Sequence, residues 1–364
     1  MRFRLALAAL LTSTACTIAA DWPQWRGPNR DGHSADKNLR KEWPQVGPKL
    51  LWAIDDGAAD RIGTGYGSPA VVGDKIFLLG GTTAKQDSKD FAVCLELKDG
   101  KQVWKTDLPT GKGNYSDGWG GGPRSTPTVA GEFVYVLGAT GDLVCLSKEK
   151  GETKWAKNLV KDFGGGIPGW GYSESVLVDG PNVVCTAGGK AGMIALDKLT
   201  GETVWTTPDL KDGAGYSSIV IADVGGVKQY VQQTDRSAIG VRAKDGKLLW
   251  KAGTIKRATA VIPSPVLFEN YAFFTSGYGA GCECYKLEKD GDGTKATPVY
   301  DNTNMANQVG GAVGLGGFVY GHSDSGGQWV CLDIKTGDIV WKNKGVGKGS
   351  IALADGHFHM LSEG

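Results

Sequence analysis

Ile194-Ala195-Leu196-Asp197-Lys198-Leu199-Thr200-Gly201-Glu202-Thr203-Val204-Trp205 is the stretch that decides the fold, because the same order of residue types returns four more times. Val93 to Trp104, Val144 to Trp155, Ile239 to Trp250 and Val330 to Trp341 each run apolar, small, apolar, polar, three variable residues, Gly, three residues, Trp. The register is fixed: Gly100, Gly151, Gly201, Gly246 and Gly337 stand four residues before Trp104, Trp155, Trp205, Trp250 and Trp341. Leu50-Leu51-Trp52 is a half-copy, and a worn copy runs from Cys284 to Tyr300. Spacings of roughly 41 to 52 residues between these aromatics belong to propellers and solenoids.

Each copy reads as two antiparallel strands. Alternating apolar residues precede the Gly, the turn sits at the Gly, and a second alternation ends at the Trp. Gly supplies the positive φ that a short hairpin needs. The Trp is expected to enter the seam with a neighbouring sheet. A second strand pair lies between copies, in Ser68 to Leu79, Ser125 to Leu137, Ser175 to Thr186, Ser217 to Gln232, Pro263 to Thr275 and Gly310 to Tyr320. Two pairs per period make a four-stranded blade, so the expected fold class is all-β, a β-propeller.

The run Ala195-Leu196-Asp197 to Trp205 resembles, position for position, the Ala-x-Asp-x-x-Thr-Gly-x-x-x-Trp pattern of the pyrroloquinoline-quinone-type (PQQ-like) β-propeller repeat family. WD40 repeats are the rival, but Lys105, Ala156, Thr206, Lys251 and Lys342 follow the tryptophans where that family carries Asp. The resemblance extends from about Trp22 to the end of the chain. It implies either a quinoprotein alcohol dehydrogenase or a cofactor-free, BamB-like protein of outer membrane assembly. Trp22-Pro23-Gln24-Trp25-Arg26-Gly27-Pro28-Asn29-Arg30-Asp31-Gly32 is similar to the opening of secreted planctomycete-type members.

Three regions are expected. Residues 1–20 read as a signal peptide, with Arg2 and Arg4, an apolar Leu5 to Leu11, and Ile18-Ala19-Ala20 before Asp21. Cys16 raises a lipoprotein alternative, against which Ser13 occupies the place where the lipobox carries Leu. Export to the periplasm or cell envelope follows. Residues 21–48 form a polar N-terminal strap, with Trp22, Trp25 and Trp43 expected to pack on the propeller's side or one end; an aromatic carbohydrate or partner contact is the alternative. Residues 49–364 are the propeller. Seven outer strands are visible, ending at Trp52, Trp104, Trp155, Trp205, Trp250, Tyr300 and Trp341, and the hairpin from Gly349 to Leu361 begins a further blade that is incomplete. The ring is expected either to close at seven blades through the Trp52 strand, or to have eight in a longer protein truncated here. A gap or thin blade is expected between the Gly364 region and Leu50.

Function is expected on the loops of one face, where the repetition stops. Those loops hold the funnel candidates Trp119, Arg124, Trp170, Tyr172, Glu174, Tyr216, His322 and Asp324. Together they would suit a small polar ligand or a peptide edge. Gly-rich loops with Trp and Tyr also plug a propeller end for packing alone. No catalytic residue is assigned, since Gly-x-Ser-x-Gly, His-Glu-x-x-His and a phosphate loop are lacking.

Under the quinoprotein alternative, PQQ would stack on Trp119 or Trp170, and Ca²⁺ would take Glu174 with Asn304 or Asn307. The adjacent cysteine pair of such enzymes is lacking. No cofactor and no metal is the first expectation. Asp290-Gly291-Asp292-Gly293 resembles the start of a Ca²⁺ loop without its later Glu, and reads as a solvated turn. Cys94, Cys145 and Cys331 share one small core position; Cys282 or Cys284 could form a disulfide, with Cys185 an uncertain partner.

The formal charge of +1 falls to −1 once Arg2 and Arg4 leave, which gives no electrostatic reason to expect nucleic acid. No apolar run of the mature chain reaches transmembrane length. The expected role is an exported, non-catalytic scaffold that binds an envelope protein or a surface ligand.

Overall fold

Alternation of period two becomes strand throughout. The computed structural model describes residues 19–54, 62–83, 88–109, 113–253 and 260–363; almost all of the expected signal peptide, Cys16 included, lies outside them. Six antiparallel four-stranded sheets follow one another at residues 70–107, 128–158, 177–206, 220–252, 266–302 and 313–343. Each is an up-and-down meander. A two-stranded hairpin, Gly349–Ala354 with His357–Ser362, comes last and is the thin sheet of the set. First strands touch between sheets one, two and three and again between sheets five, six and the hairpin, and the sheets stand radially around an axis as a β-propeller.

The core lies between sheets rather than inside one. Phe77 and Trp104 of the first sheet pack with Val134 and Val144 of the second. Tyr135 and Trp155 of the second pack with Val183 and Ile194 of the third, and the same arrangement continues around the ring. The hairpin joins through Ile351 and Leu353, which cover Val313 and Trp329 of the sixth sheet.

What joins neighbours is a seat for the tryptophan. Trp104, Trp155 and Trp205 are buried, and each indole Nε1 donates to a carbonyl of the next sheet: Lys148 at 2.9 Å, Lys198 at 2.9 Å and Ala243 at 3.1 Å. Each indole also covers the turn glycine of that next sheet. A Cβ added at Gly151 would lie 2.6 Å from Trp104, at Gly201 2.8 Å from Trp155, and at Gly246 2.5 Å from Trp205. Positive φ and close approach therefore select Gly together at this turn.

Two outliers use the same seat. Trp52 stands on Gly100 and donates to Leu97 O at 2.8 Å, so it serves the first sheet as an outer-strand Trp would. Tyr300 of the worn copy stands on Gly337 and donates to Ile334 O at 3.1 Å.

Trp250 departs from the pattern. The fifth sheet's outer hairpin has two ten-residue strands, Gly281–Asp290 and Gly293–Asn302, so its turn is displaced outward. The Trp250 indole turns into its own sheet, donates to Gln229 Oε1 at 2.8 Å, and leaves only Gly at position 240, where a Cβ would sit 2.2 Å from Nε1. The displaced turn is not simply solvated: Asp292 accepts from Arg242 at 2.9 Å and ties the hairpin to the fourth sheet. Trp341 faces the hairpin that has no outer strands, and is 38% exposed.

A β-bulge recurs beside each outer aromatic. It places the small residue directly opposite: Cys94 with Trp104, Cys145 with Trp155, Ala195 with Trp205, Cys284 with Tyr300 and Cys331 with Trp341. The cysteines act as small apolar fillers. All six described cysteines are buried free thiols, so no disulfide joins Cys185 to Cys282 or Cys284.

The front of the N-terminal strap is not on the outside. Residues 22–34 run through the middle, bonded in turn to every sheet. Trp22 bridges Val71 of the first sheet, and Pro23 O accepts from Val129 of the second. Arg30 donates to Ser175 O at 2.6 Å and Val176 O at 3.1 Å at the head of the third sheet, and to Ile219 O at 2.7 Å before the fourth. Trp25 Nε1 donates to Ser264 Oγ at 3.1 Å before the fifth. Arg26 donates to Gly310 O at 2.9 Å and Ala312 O at 2.6 Å at the sixth, and Ser34 N donates to Leu353 O of the hairpin at 2.7 Å. Both guanidiniums are buried, and burial pulls each down to about 10, still cationic at neutral pH. Trp43, by contrast, is 63% exposed and packs as no part of this plug.

Two outcomes follow from these contacts. Gly201→Ala forces a side chain into a φ of +72° against Trp155 and should lower unfolding stability by about 2 kcal/mol in denaturant melts. Arg30→Met strips three carbonyls, two at the third sheet and one before the fourth, of their donor and should cost about 3 kcal/mol, with Arg30→Lys restoring little because an ammonium cannot fork to all three. A melt midpoint unchanged in Arg30→Met would show that the sheets close without the plug.

Candidate functional site

The connections that leave one sheet's outer strand and enter the next sheet's inner strand gather at one end of the axis. They surround a funnel of about 770 Å³. Trp25 of the plug belongs to its lining. The wall is built sheet by sheet from Tyr66, then Trp119 and Arg124, then Trp170, Ser173 and Ser175, then Tyr216 and Ser218. Ala260, Ile262 and Tyr278 continue it, and Gln308, Val309, Gly310, Lys348 and Glu363 complete the circuit.

Hydrogen bonds lash successive loops together. Tyr66 N donates to Pro123 O at 2.9 Å, Ser116 N to Gly169 O at 2.6 Å and Tyr216 N to Val261 O at 3.0 Å. The Tyr66 hydroxyl donates to Trp119 O, and Tyr216 Oη accepts from Trp170 N at 3.2 Å. Arg124 Nε donates to Trp170 O and Nη2 to Gly120 O, both at 2.9 Å, while its guanidinium lies over the Tyr66 ring at 4.7 Å. Burial lowers the Arg124 pKa. The glycines of these loops serve packing: a Cβ at Gly165 would lie 2.4 Å from Ala187 O, and one at Gly122 2.5 Å from Thr64 O. Gly-rich packing and an aromatic-lined funnel therefore coexist in the same loops.

Of the eight candidates named from the sequence, Trp119, Arg124, Trp170 and Tyr216 line the funnel together. The other four do not. Tyr172 is buried between the second and third sheets, its hydroxyl donating to Ala187 O at 2.9 Å. Glu174 is buried in the third sheet's entrance, its Oε2 accepting from Thr186 N at 2.8 Å. His322 is buried edge-on to Trp329, and Asp324 accepts from Tyr278 N at 3.3 Å behind the rim. A break in the alternation explains two of the misses: Gly171 at φ 81° turns the chain after Trp170, so that Ser173 and Ser175 face the funnel while Tyr172 and Glu174 point away, and sequence alone leaves that choice open. Trp25, Tyr66, Tyr278, Gln308 and Lys348 were missed as candidates. Trp25 had a signal in its motif, whereas Tyr66 and Tyr278 sit in stretches with no repeat to mark them.

Known proteins place this architecture. The profile of the outer membrane protein assembly factor BamB family matches residues 88–343, well over half of the chain. The chain belongs to the BamB family. Among solved structures it is similar to BamB from Moraxella catarrhalis, at 16% identity and a TM-score of 0.53, over 83% of this chain and 79% of that one. A likeness at that identity is one of fold. A europium-containing methanol dehydrogenase matches at 13% identity and TM-score 0.46, over 91% of this chain and 86% of that one. A quinohaemoprotein alcohol dehydrogenase from Pseudomonas putida HK5 matches at 12% and 0.45, over 93% and 75%. No curated protein matches the sequence.

In this BamB-family propeller none of the donors suggested for Ca²⁺ lines the funnel. Glu174 Oε2 accepts from Thr186 N at 2.8 Å while its Oε1 has no partner, Asn304 Nδ2 donates to Gly337 O at 2.8 Å, and Asn307 Nδ2 donates to His322 O at 2.9 Å while its Oδ1 has no partner. Glu363, the carboxylate in the funnel lining, pairs with Lys348 at 3.0 Å. No cluster of three or more His, Cys, Asp or Glu able to hold a metal occurs among the described residues. Neither does a helix long and apolar enough to cross a membrane.

Glu174 is the electrostatic oddity beneath the funnel. Its Oε1 has no partner, and burial, opposed by the Thr186 N–H and by Arg30, pushes its pKa up to about 7. A folded-state value above the ordinary 4.5 means that the native state holds this proton more tightly than the unfolded chain does. Stability from that proton is present below pH 4.5 and is lost as pH rises through about 7. Glu174→Gln should therefore gain melting temperature relative to the parent between pH 5 and 8, by up to about 3 kcal/mol of differential stability. Parallel melting curves across that range, with a constant offset, would assign Glu174 an unshifted carboxyl.

Proposed function

We propose that the protein is an exported, non-catalytic binding scaffold of the cell envelope, with the funnel as its recognition surface for an envelope protein or surface ligand. The observation that carries this is the funnel's chemistry. Among the described residues its wall combines indole and phenol rings with one cation that has no carboxylate partner, Arg124, and places no nucleophile beside a base. His322, the histidine named from the sequence for that face, is buried against Trp329, and no histidine is among the described lining residues.

Membership of the BamB family supports an envelope role. The basic, then apolar, then small-residue order of residues 1–20 supports export, with a periplasmic soluble form favoured over a lipid-anchored one at Cys16. Against the PQQ and Ca²⁺ dehydrogenase alternative stands the position of Glu174, Asn304 and Asn307 outside the lining that holds Trp119 and Trp170. The aromatic lining is what that alternative has in its favour.

The two readings separate in one preparation of the full-length exported protein. Added PQQ and Ca²⁺ should give neither a stacked-quinone absorbance nor dye-linked alcohol oxidation, and immobilised protein should retain an envelope component that Trp170→Ala releases. A quinone spectrum with turnover would make it a dehydrogenase, and retention unaltered by Trp170→Ala would move recognition away from the funnel.

A further inference from the structure

The funnel has two unlike sides. Sheets one to four contribute an aromatic crescent, Tyr66, Trp119, Trp170 and Tyr216, in which Arg124 is the charged group. Sheets five to seven contribute polar groups: Lys348 Nζ donates to Gln308 Oε1 at 3.1 Å and pairs with Glu363 at 3.0 Å. Lys348 and Glu363 cancel. Arg124 has no carboxylate partner among the described residues; its fixed contacts are two carbonyls and the Tyr66 ring, and its Nη1 is not used by them. A cation drawn from water and held by neutral groups favours an anion brought to it.

The rings are presented, not buried. Trp119 is 80% exposed, and Tyr66 and Tyr278 are about half exposed. Tyr278 also holds a left-handed backbone at φ 58°, rare for a bulky residue and anchored by Asp324. Neither Trp119 Nε1 nor Trp170 Nε1 donates to a protein acceptor among the described residues, so both indoles offer a face and an edge donor.

A ligand that satisfies both sides needs an apolar face, a hydroxylated edge and an anionic group. An extended peptide is a poor match, because lining amides that would pair with it are spent on neighbouring loops: Tyr66, Trp170 and Tyr216 N–H groups all donate within the protein. A flat aromatic acid would leave carbon against Gln308, Lys348 and Glu363. A pyranose ring stacks its C–H face on an indole and turns its hydroxyls outward. A uronic acid adds the carboxylate.

We propose that the funnel binds a short acidic saccharide of the uronate class, its sugar faces on the Trp119 and Trp170 indoles and a carboxylate at Arg124. This rests on the funnel being the recognition surface, as argued above. A volume of about 770 Å³ is ample for a few sugar rings.

The test titrates the full chain with trigalacturonate and with the neutral trisaccharide of galactose, read by tryptophan fluorescence and calorimetry. The acidic sugar should bind about tenfold or more tighter, and added salt should erode that margin. Arg124→Gln should abolish the preference, so that acidic and neutral sugars bind that variant alike; Trp170→Ala should weaken both sugars, and Trp170→Phe should largely retain them. Melting curves on each variant check folding, and the comparison of the two sugars on the parent protein needs no variant. Equal affinity for the two sugars overturns the proposal, as does tighter binding of indole-3-acetate than of trigalacturonate. Failure of both sugars to bind, with a Trp170-dependent envelope component still retained, overturns the saccharide and leaves the recognition surface standing.

Discussion

One contact recurs and the rest of the molecule depends on it: an indole from one sheet lying on the bare backbone of the next sheet's turn. Each such ring removes roughly 150–250 Å² from water, on the order of 4–6 kcal/mol before conformational entropy is charged against it. The Nε1–H would be left unsatisfied in that seam. It is not, because the same turn presents a carbonyl at 2.9–3.1 Å for Trp104, Trp155 and Trp205. A side chain at the glycine would lift the ring off its seat, and a large residue opposite the ring would push it from behind. That is why the glycine, the tryptophan and the small Cys or Ala travel together. Where the turn moves outward, as in the fifth sheet, Trp250 swings inward and the small residue shrinks further, to Gly240.

The seats join sheets pairwise and say nothing about the axis. The plug supplies that connection. Arg26 and Arg30, both at φ 60°, each span more than one carbonyl, and backbone bonds at Trp22, Pro23, Gly32 and Ser34, together with the Trp25 indole on Ser264, reach the remaining sheets. A buried guanidinium is costly to desolvate, and it is tolerated here because its donors meet carbonyl oxygens that strand starts would otherwise leave bare. Thirteen or so residues of irregular chain thus hold inner strands drawn from the whole length of the sequence.

The plug also shapes the funnel. By filling the axis it closes the channel and leaves Trp25 beneath the loops, held by Ser264, so that the cavity is a cup and not a pore. The loops above can then be long and irregular, because their backbones pair with each other through close Gly contacts. Rigid scaffold below and aromatic side chains above give a surface that can be varied without disturbing the seats.

The sequence by itself determined the repeat, the four-stranded sheets, the role of the tryptophans between sheets and the end of the molecule where the non-repetitive loops gather. Those follow from period, spacing and residue type, which are local. It also singled out Trp119, Arg124, Trp170 and Tyr216 in the non-repetitive loops. What only the tertiary structure decided was direction. Tyr172 and Glu174 lie within four residues of Trp170, yet the turn at Gly171, φ 81°, sends them into the seam and the sheet entrance, and His322 packs behind the rim. The strap was legible as a distinct segment, but its path through the axis was not, because each of its partners comes from a different repeat. Contacts that join one short segment to seven distant sheets leave no period in the chain, and a period is what the sequence can be read for.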